Sequence, residues 1–242
     1  RRNLQSRCSP KSSARAQIAA LSRLIVFAAR AASCLSVRPA KPEDIRQVSR
    51  IVSTSFQGQP SWRDGPIILA QWKWRCFQNE ALMTTRLASL AEREACFVGI
   101  RTDDGEERVV GWVDVRLVCF DEGDRTVHTS IPYAAALRPS DFRMRPYVSN
   151  LAVEECSRRQ GVATALVRAS EQHALRAGFD ELMLEVLESN FEALELYKSL
   201  GYSLEQCDGC ALHMQRREFW YESVLVPKLR LVKVFTASTS PA

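Results

Sequence analysis

The chain has 242 residues, 46% of them apolar and 25% charged, which fits one globular domain with extensions. Residues 1–42 hold nine of the 33 Lys and Arg residues and no Asp or Glu, so the formal net charge of +5 conceals a charge of −4 over residues 43–242. An acidic main part argues against a nucleic-acid-binding protein, which needs a basic domain, and no apolar run is long enough for a membrane span.

Residues 1–33 are rich in Arg, Ser and Ala and contain no acidic residue. This composition is typical of an organelle transit peptide, and residues 17–32 are compatible with a basic amphipathic helix. We therefore predict import into a plastid or a mitochondrion, with a disordered basic arm as the alternative. The first residue is Arg1 rather than Met, which leaves open whether further residues precede it.

The eight cysteines are scattered, and a chain of this length needs no disulfide framework. Cys207 and Cys210 form one close pair around Asp208-Gly209. A structural zinc site would need a second pair at similar spacing, and Asp-Gly is a hairpin-turn signal. We predict reduced thiols beside a turn, and no metal.

The first half of the chain has apolar patterns that predict two helices, with one strand before them and two strands after them. Pro42 begins the first helix, with acidic residues beside the positive end of its dipole. The predicted elements are a strand at 35–38, helices from 42 and over 66–94, strands at 95–101 and 109–120, and a long polar loop at 121–145.

The second half predicts one βαβ unit followed by a helix and a hairpin. Ser189 and Glu192 form a capping-box pattern at the start of the second helix. The predicted elements are a strand at 148–153, a helix at 161–177, a strand at 181–187, a helix after 192 and a hairpin at 202–217. The fold class is therefore mixed α/β (α+β), with a domain at 34–217 and a C-terminal tail at 218–242.

A basic glycine turn, Arg158-Arg159-Gln160-Gly161-Val162-Ala163, joins the strand at 148–153 to the next helix. Backbone N–H groups at a tight turn and a helix N-terminus bind phosphate, and glycine lets the backbone approach the ligand. The two arginines add positive charge. The pattern predicts a site for a phosphate-bearing ligand.

With Asn150-Leu151-Ala152-Val153 before it and Leu184-Glu185-Val186, Asn190, Tyr197 and Gly201-Tyr202 after it, this turn resembles the acetyl-CoA signature of the GNAT acyltransferase superfamily. Residues 147–202 are similar to the plastid lysine and N-terminal protein acetyltransferases of that fold. The resemblance implies a mostly antiparallel sheet of six to seven strands flanked by about four helices. It also favours the plastid stroma over the mitochondrion.

The resemblance further implies roles for single residues. The strand residues would pair with the pantetheine arm, the turn would hold the pyrophosphate, and Asn190, for which helix capping is an alternative, would bond the cofactor near its amide. The implied cofactor-binding residues are Leu151, Ala152, Val153, Arg158, Arg159, Gln160, Gly161, Val162, Ala163, Thr164 and Asn190.

Two residues are candidates for proton transfer. The resemblance implies that Tyr197 protonates the departing thiolate, and the alternative is a core tyrosine on the apolar helix face. Glu185 is a candidate base, because a carboxylate among apolar strand neighbours would have a raised pKa, and the alternative is a solvent-facing side chain.

The predicted function is transfer of acetyl from acetyl-CoA to lysine side chains or N-terminal amines of proteins, by direct attack without a metal. The partner is then a protein or peptide amine. Two alternatives stay open: an acetyltransferase for a small amine, such as a polyamine or amino sugar, and a non-catalytic acyl-CoA-binding module.

Overall fold

The computed structural model describes residues 34–58, 60, 65–103, 105–123, 125–128, 138–216 and 221–235. The predicted transit peptide at 1–33 lies outside them. The chain divides into two compact units, and the larger comprises Leu35–Ile100 and Val109–Ala242. The described residues of the smaller unit are Cys34, 101–103 and 105–108. All elements that build the candidate site belong to the larger unit.

The described residues contain four α-helices and eight strands. The helices are α1 (Ile45–Gln57), α2 (Pro66–Ala88), α3 (Val162–Arg176) and α4 (Phe191–Ser199). The strands are β1 (Cys34–Pro39), β2 (Ala95–Asp103), β3 (Glu106–Asp121), β4 (Val127–His128), β5 (Phe142–Val153), β6 (Glu181–Leu187), β7 (Ser203–Arg216) and β8 (Tyr221–Val234). None of these helices is both long and apolar enough to cross a membrane.

The strands form one sheet in the order β1-β2-β3-β5-β6-β8-β7, with β4 beside β3. The pair β5–β6 is parallel, whereas β3–β5, β6–β8 and β7–β8 are antiparallel. A right-handed crossover through α3 is the usual way to connect two parallel strands. The mixed, mostly antiparallel fold class is confirmed, with one strand more than the predicted six to seven.

The extra strand corrects the prediction of a C-terminal tail at 218–242. Tyr221–Val234 is β8, which lies between β6 and β7 and pairs with both. The hairpin predicted within 202–217 is also wrong, because β7 continues through Asp208-Gly209. Gly209 is the extra residue of a bulge in β7, so the Asp-Gly pattern that predicted a turn lies in a bulge within one strand.

The loop predicted at 121–145 is shorter than expected. β5 begins at Phe142, which pairs with Asp121 at the end of β3. Its first residues include Arg143 and Arg145, whose guanidinium groups bond the Glu181 carboxylate at 2.9 and 2.7 Å. These charged residues at the start of β5 bond a charged residue of β6, a partner that local sequence patterns do not indicate. The start of β5 was therefore not recognised from the sequence.

The start of α3 packs closely on β3. A Cβ added to Gly111 would lie 2.9 Å from Leu166 Cδ1 and 2.9 Å from Val162 Cγ1. Only glycine therefore allows this approach. Val162 and Leu166 are fully buried in the cluster that includes β3 and β6 residues. This packing holds the first turn of α3 at the end of β5, where the basic turn lies.

Candidate active site

β5 and β6 run side by side and then separate. Their paired positions are Tyr147 with Met183 and Val148 with Leu184. β5 continues along β3 through a bulge, in which Asn150 has a φ of 54°. Because a bulge bends and twists its own strand, it turns β5 away from β6. The gap between the strands is part of a cavity of about 1120 Å³.

The backbone of β5 presents polar groups to this cavity. The Glu154 N–H donates to Val110 O at 2.9 Å, and Ala152 is the next β5 position that faces β3 in the same way. Backbone groups of successive strand residues point to opposite sides. The N–H and C=O of Leu151 and Val153 therefore face away from β3. An extended chain that contains amides can bond there as a neighbouring strand would.

The basic turn ends in uncapped N–H groups. Arg159 and Gly161 have φ values of 59° and 82°, and Gly161 is the N-cap of α3. The N–H of Ala165 donates to Gly161 O at 2.9 Å. The N–H groups before it have no acceptor within the helix, and they belong to Val162, Ala163 and Thr164. Together with the helix dipole they favour an anion.

Side chains stabilise this turn and charge it. The Gln160 amide donates to Cys156 O at 2.8 Å, which closes the turn on itself. The Arg158 guanidinium makes a long bond of 3.4 Å to Val153 O. Arg158 and Arg159 are both exposed. Exposed guanidinium groups beside open N–H groups suit a phosphate or pyrophosphate.

α4 begins on the other side of the cavity. Its N-cap is Asn190, whose Oδ1 accepts a bond from Ala193 N at 3.2 Å. The capping box predicted on Ser189 is therefore wrong by one residue, because Asn caps a helix as well as Ser does. The capping alternative for Asn190 is confirmed. Asn190 also lines the cavity, so capping and ligand contact are compatible.

Tyr197 lies later on α4 and is 6% exposed, yet it lines the same cavity. Its ring meets the Tyr202 ring edge-on, with centroids 5.6 Å apart. Burial raises the pKa of Tyr197 above the usual value of a phenol. The hydroxyl therefore keeps its proton at neutral pH and is available as a donor.

Glu185 has charged partners that its own strand does not reveal. Its carboxylate accepts from Lys228 Nζ at 2.6 Å and from an Arg230 guanidinium nitrogen at 3.2 Å, both on β8. Tyr147 O–H adds a long bond of 3.4 Å. Burial alone raises the pKa of Glu185, but the bonds and charges of Lys228 and Arg230 outweigh burial and lower it. The prediction of a raised pKa is wrong.

The cavity brings together twelve of the thirteen predicted site residues. The remaining one, Gln160, bonds within its turn instead. Tyr147 and Lys228 are among the cavity residues that were not assigned a role from the sequence. For Lys228 a signal existed, since charged and apolar residues alternate from Lys228 to Leu231, as in a half-buried strand.

The cysteines in the described part of the chain give no sign of a metal centre. The free thiols among the described residues belong to Cys34, Cys76, Cys96, Cys119, Cys156 and Cys207. Within that part of the chain, no group of three or more His, Cys, Asp and Glu side chains could hold a metal ion. That the reaction uses no metal stays a prediction.

A profile described as the acetyltransferase (GNAT) family matches residues 67–202. N-alpha-acetyltransferase 30 of Saccharomyces cerevisiae is 32% identical over 95 residues, which cover 38% of this chain and 53% of that protein. GCN5-related N-acetyltransferase 10, chloroplastic, of Arabidopsis thaliana is 28% identical over 179 residues, covering 69% of this chain and 60% of that protein. The chain thus spans little more than half the length of these relatives.

Among solved structures, Naa20 of Chaetomium thermophilum in complex with a bisubstrate analogue superimposes with a TM-score of 0.54. The match covers 83% of this chain and 86% of that one, at 16% sequence identity. An identity this low supports the shared fold alone.

Proposed function

The chain belongs to the acetyltransferase (GNAT) family, and on that premise we propose that it transfers an acetyl group from acetyl-CoA to primary amines of proteins. The observation that carries the proposal is the cavity between β5 and β6. It combines open N–H groups at the α3 N-terminus, the outward backbone of β5, and the buried hydroxyl of Tyr197. Those are an anion site, an amide-binding edge and a proton donor in one space.

Binding follows from the charges and backbone groups of the turn. Arg158, Arg159 and the N–H groups from Gly161 to Thr164 would hold the pyrophosphate of the co-substrate. Leu151 and Val153 would bond the amides of its pantetheine arm, while Asn190 contacts the same arm from α4. Bound acetyl-CoA supplies an activated thioester, and the protein has to orient it and exclude water.

The protein's own groups then handle the protons. A β5 backbone N–H polarises the thioester carbonyl, which accumulates negative charge as a neutral amine attacks. Tyr197 donates its proton to the leaving thiolate, which would otherwise be a costly buried charge. Glu185 attracts an ammonium group by its charge and accepts a proton as the attacking nitrogen becomes more acidic.

The lowered pKa of Glu185 limits this last role. A carboxylate that is ionised over the whole neutral range is a weak base, so ammonium attraction is its larger contribution. Lys228 and Arg230 partly neutralise that charge. The acceptor half of the site, meaning the part that would receive the amine, thus contains the Glu185 carboxylate held between two cations.

The acceptor class can be tested with three matched substrates. One peptide has a free N-terminus and no lysine, the second has the same sequence with a blocked N-terminus and one internal lysine, and the third substrate is a polyamine. Release of the CoA thiol and product mass are measured. We expect turnover of at least one peptide that exceeds turnover of the polyamine. Turnover of small amines alone contradicts a protein acceptor, and acetyl-CoA binding without turnover indicates a binding module.

We also propose that the protein resides in a plastid. Support comes from the chloroplastic name of one relative and from the basic, acid-free residues 1–33. A fluorescent protein fused to the C-terminus of the full chain should coincide with chlorophyll in leaf cells. Coincidence with a mitochondrial marker instead would support the alternative compartment.

A further inference from the structure

Lys228 places a primary amine inside the candidate active site. It lies on β8 opposite Leu187, the last residue of β6, and its side chain lines the β5–β6 cavity. Its Nζ lies 2.6 Å from Glu185 Oε2, although the two residues are 43 positions apart in the sequence. The side chain is 24% exposed, so the amine is held at the cavity wall rather than free in solvent.

The other described lysines have different surroundings. They are Lys41, Lys73, Lys198 and Lys233, and none of these four lines the β5–β6 cavity. Lys233 is the most similar, because it is also on β8 and also bonds a carboxylate, that of Glu171, at 2.9 Å. Lys228 therefore differs from Lys233 in its position at the cavity, not in strand or type of partner.

We propose that Lys228 is an internal acceptor, so that the enzyme acetylates its own Lys228 Nζ in the same cavity that receives external amines. This inference rests on the proposed function. A base must be within hydrogen-bond reach of the proton that it takes, and Glu185 meets that condition for Lys228. An amine already held in the site reacts as part of one molecule, which removes the entropy cost of bringing two molecules together.

The step balances with the groups already named. The Lys228 ammonium gives one proton to Glu185, and the neutral Nζ forms a bond to the acetyl carbonyl carbon. The carbon–sulfur bond breaks, and the sulfur takes a proton from Tyr197. The second proton lost by Nζ restores Tyr197, and the proton on Glu185 passes to water. The products are Nε-acetyl-lysine at 228, free CoA and one released proton.

Acetylation would change the acceptor half of the site. It replaces the cation that bonds Glu185 with a neutral and bulkier amide, while Arg230 stays in place. External amines then meet a narrower cavity and a carboxylate without its closest partner. The modified enzyme is expected to turn over external acceptors more slowly. Acetylation of Lys228 would therefore lower the activity when acetyl-CoA is abundant.

The test uses the full chain incubated with acetyl-CoA that carries a heavy-isotope acetyl group. Cleavage after Glu222 yields the peptide 223–242, which contains both Lys228 and Lys233 and no other lysine. Fragment masses then compare the two sites within one peptide. We expect heavy acetyl on Lys228 at a level at least about tenfold above Lys233, because only Lys228 is pre-positioned. The labelled fraction should grow at a rate that does not depend on protein concentration.

Two controls make the result decisive. Heat-inactivated protein measures the chemical background at both lysines, and Lys228→Arg retains the positive charge at Glu185 but has no amine that can be acetylated at this position. The external peptides described above are assayed in parallel.

Each outcome has a defined meaning. Acetylated external peptides with Lys228 labelled no more than Lys233 overturn the internal acceptor while the proposed function stands. No labelling of any amine overturns both. A rate that rises with protein concentration shows transfer between molecules and contradicts the internal step.

Discussion

Tyr197 is the residue whose role can be tested most directly. Burial raises its pKa and keeps its proton in place, and it lines the cavity from α4. Replacing Tyr197 with Phe removes the donor and preserves the ring. We expect kcat to fall by about 10²- to 10⁴-fold, the usual contribution of a general acid, with little change in acetyl-CoA affinity. Steady-state kinetics and a binding titration check the two quantities separately.

Tyr202 provides the matched control for this substitution. It is as buried as Tyr197 and packs against it, but it does not line the cavity. Tyr202→Phe makes the same chemical change in the same cluster. An equal loss of kcat in both variants would show that packing, not proton donation, is the cause.

Substitution of Gly161 tests the proposed phosphate-binding turn. Its φ of 82° is strained for any residue with a Cβ, and no atom lies near the added Cβ. Gly161→Ala should cost about 1–2 kcal/mol from backbone strain and also weaken acetyl-CoA binding, because it distorts the turn. Gly178 has a φ of 84° and equally open space at the other end of α3. Gly178→Ala should lose similar stability without loss of binding, which denaturation and titration measure.

Glu185 shows where inference from the sequence ends at the residue scale. Strand alternation placed it correctly on β6, which was predicted at the observed bounds. Its two cationic partners come from β8, more than 40 residues later in the sequence. A pKa depends on the nearest charges, so the sign of its shift could not be predicted from neighbours in the sequence.

At the scale of elements, Gly111 sets the distance between α3 and β3. An added Cβ would lie 2.9 Å from both Val162 and Leu166, which are closely packed core side chains. Gly111→Ala should therefore lower the free energy of unfolding by about 1–3 kcal/mol, the usual cost of overpacking. Because the first turn of α3 must shift, acetyl-CoA affinity should fall as well. Urea unfolding and a binding titration give both values.

Gly65 is the control for this change. It is the N-cap of α2, has a φ of −62° and leaves open space for a Cβ. Gly65→Ala should change stability and binding much less than Gly111→Ala. If the two variants behave alike, close packing of α3 on β3 is not what positions the turn.

The elements also show which signals the sequence carried. The turn after β5, the helix α3 and the strand β6 follow from local patterns, and they lie close to the predicted bounds. The separation of β5 from β6 depends on a bulge at Asn150. This residue has a positive φ but is not a glycine, so the sequence did not indicate the bulge. The pairing of β8 with β6 and β7 depends on contacts between residues far apart in the sequence, which local patterns do not indicate. The elements that form the proposed cofactor half of the site were therefore predictable, and those that form the proposed acceptor half were not.

For the molecule as a whole, several partly buried carboxylates are paired with arginines. Burial raises the pKa of Glu94, but hydrogen bonds from Arg86, Leu117 N–H and Ala91 N–H outweigh it and lower the pKa. Asp44 behaves in the same way beside Arg38, and Glu185 beside Lys228 and Arg230. As pH falls below about 4.5, the unfolded chain takes up protons before the folded one does. Stability should therefore decrease progressively on acidification below that pH.

Glu94→Gln isolates one of these contributions. Its side chain is 12% exposed and accepts bonds of 2.7 Å from Arg86 and 2.8 Å from Leu117 N. At pH 7 the variant should be less stable than wild type by about 1–3 kcal/mol, because the partly buried Arg86 guanidinium loses an ionised partner. The difference should shrink as pH falls through the lowered pKa of Glu94, where the wild-type carboxyl also becomes neutral. Urea unfolding across this range measures it, with the exposed Glu43→Gln as the control. A difference that stays constant with pH would show that the Glu94 charge does not stabilise the fold.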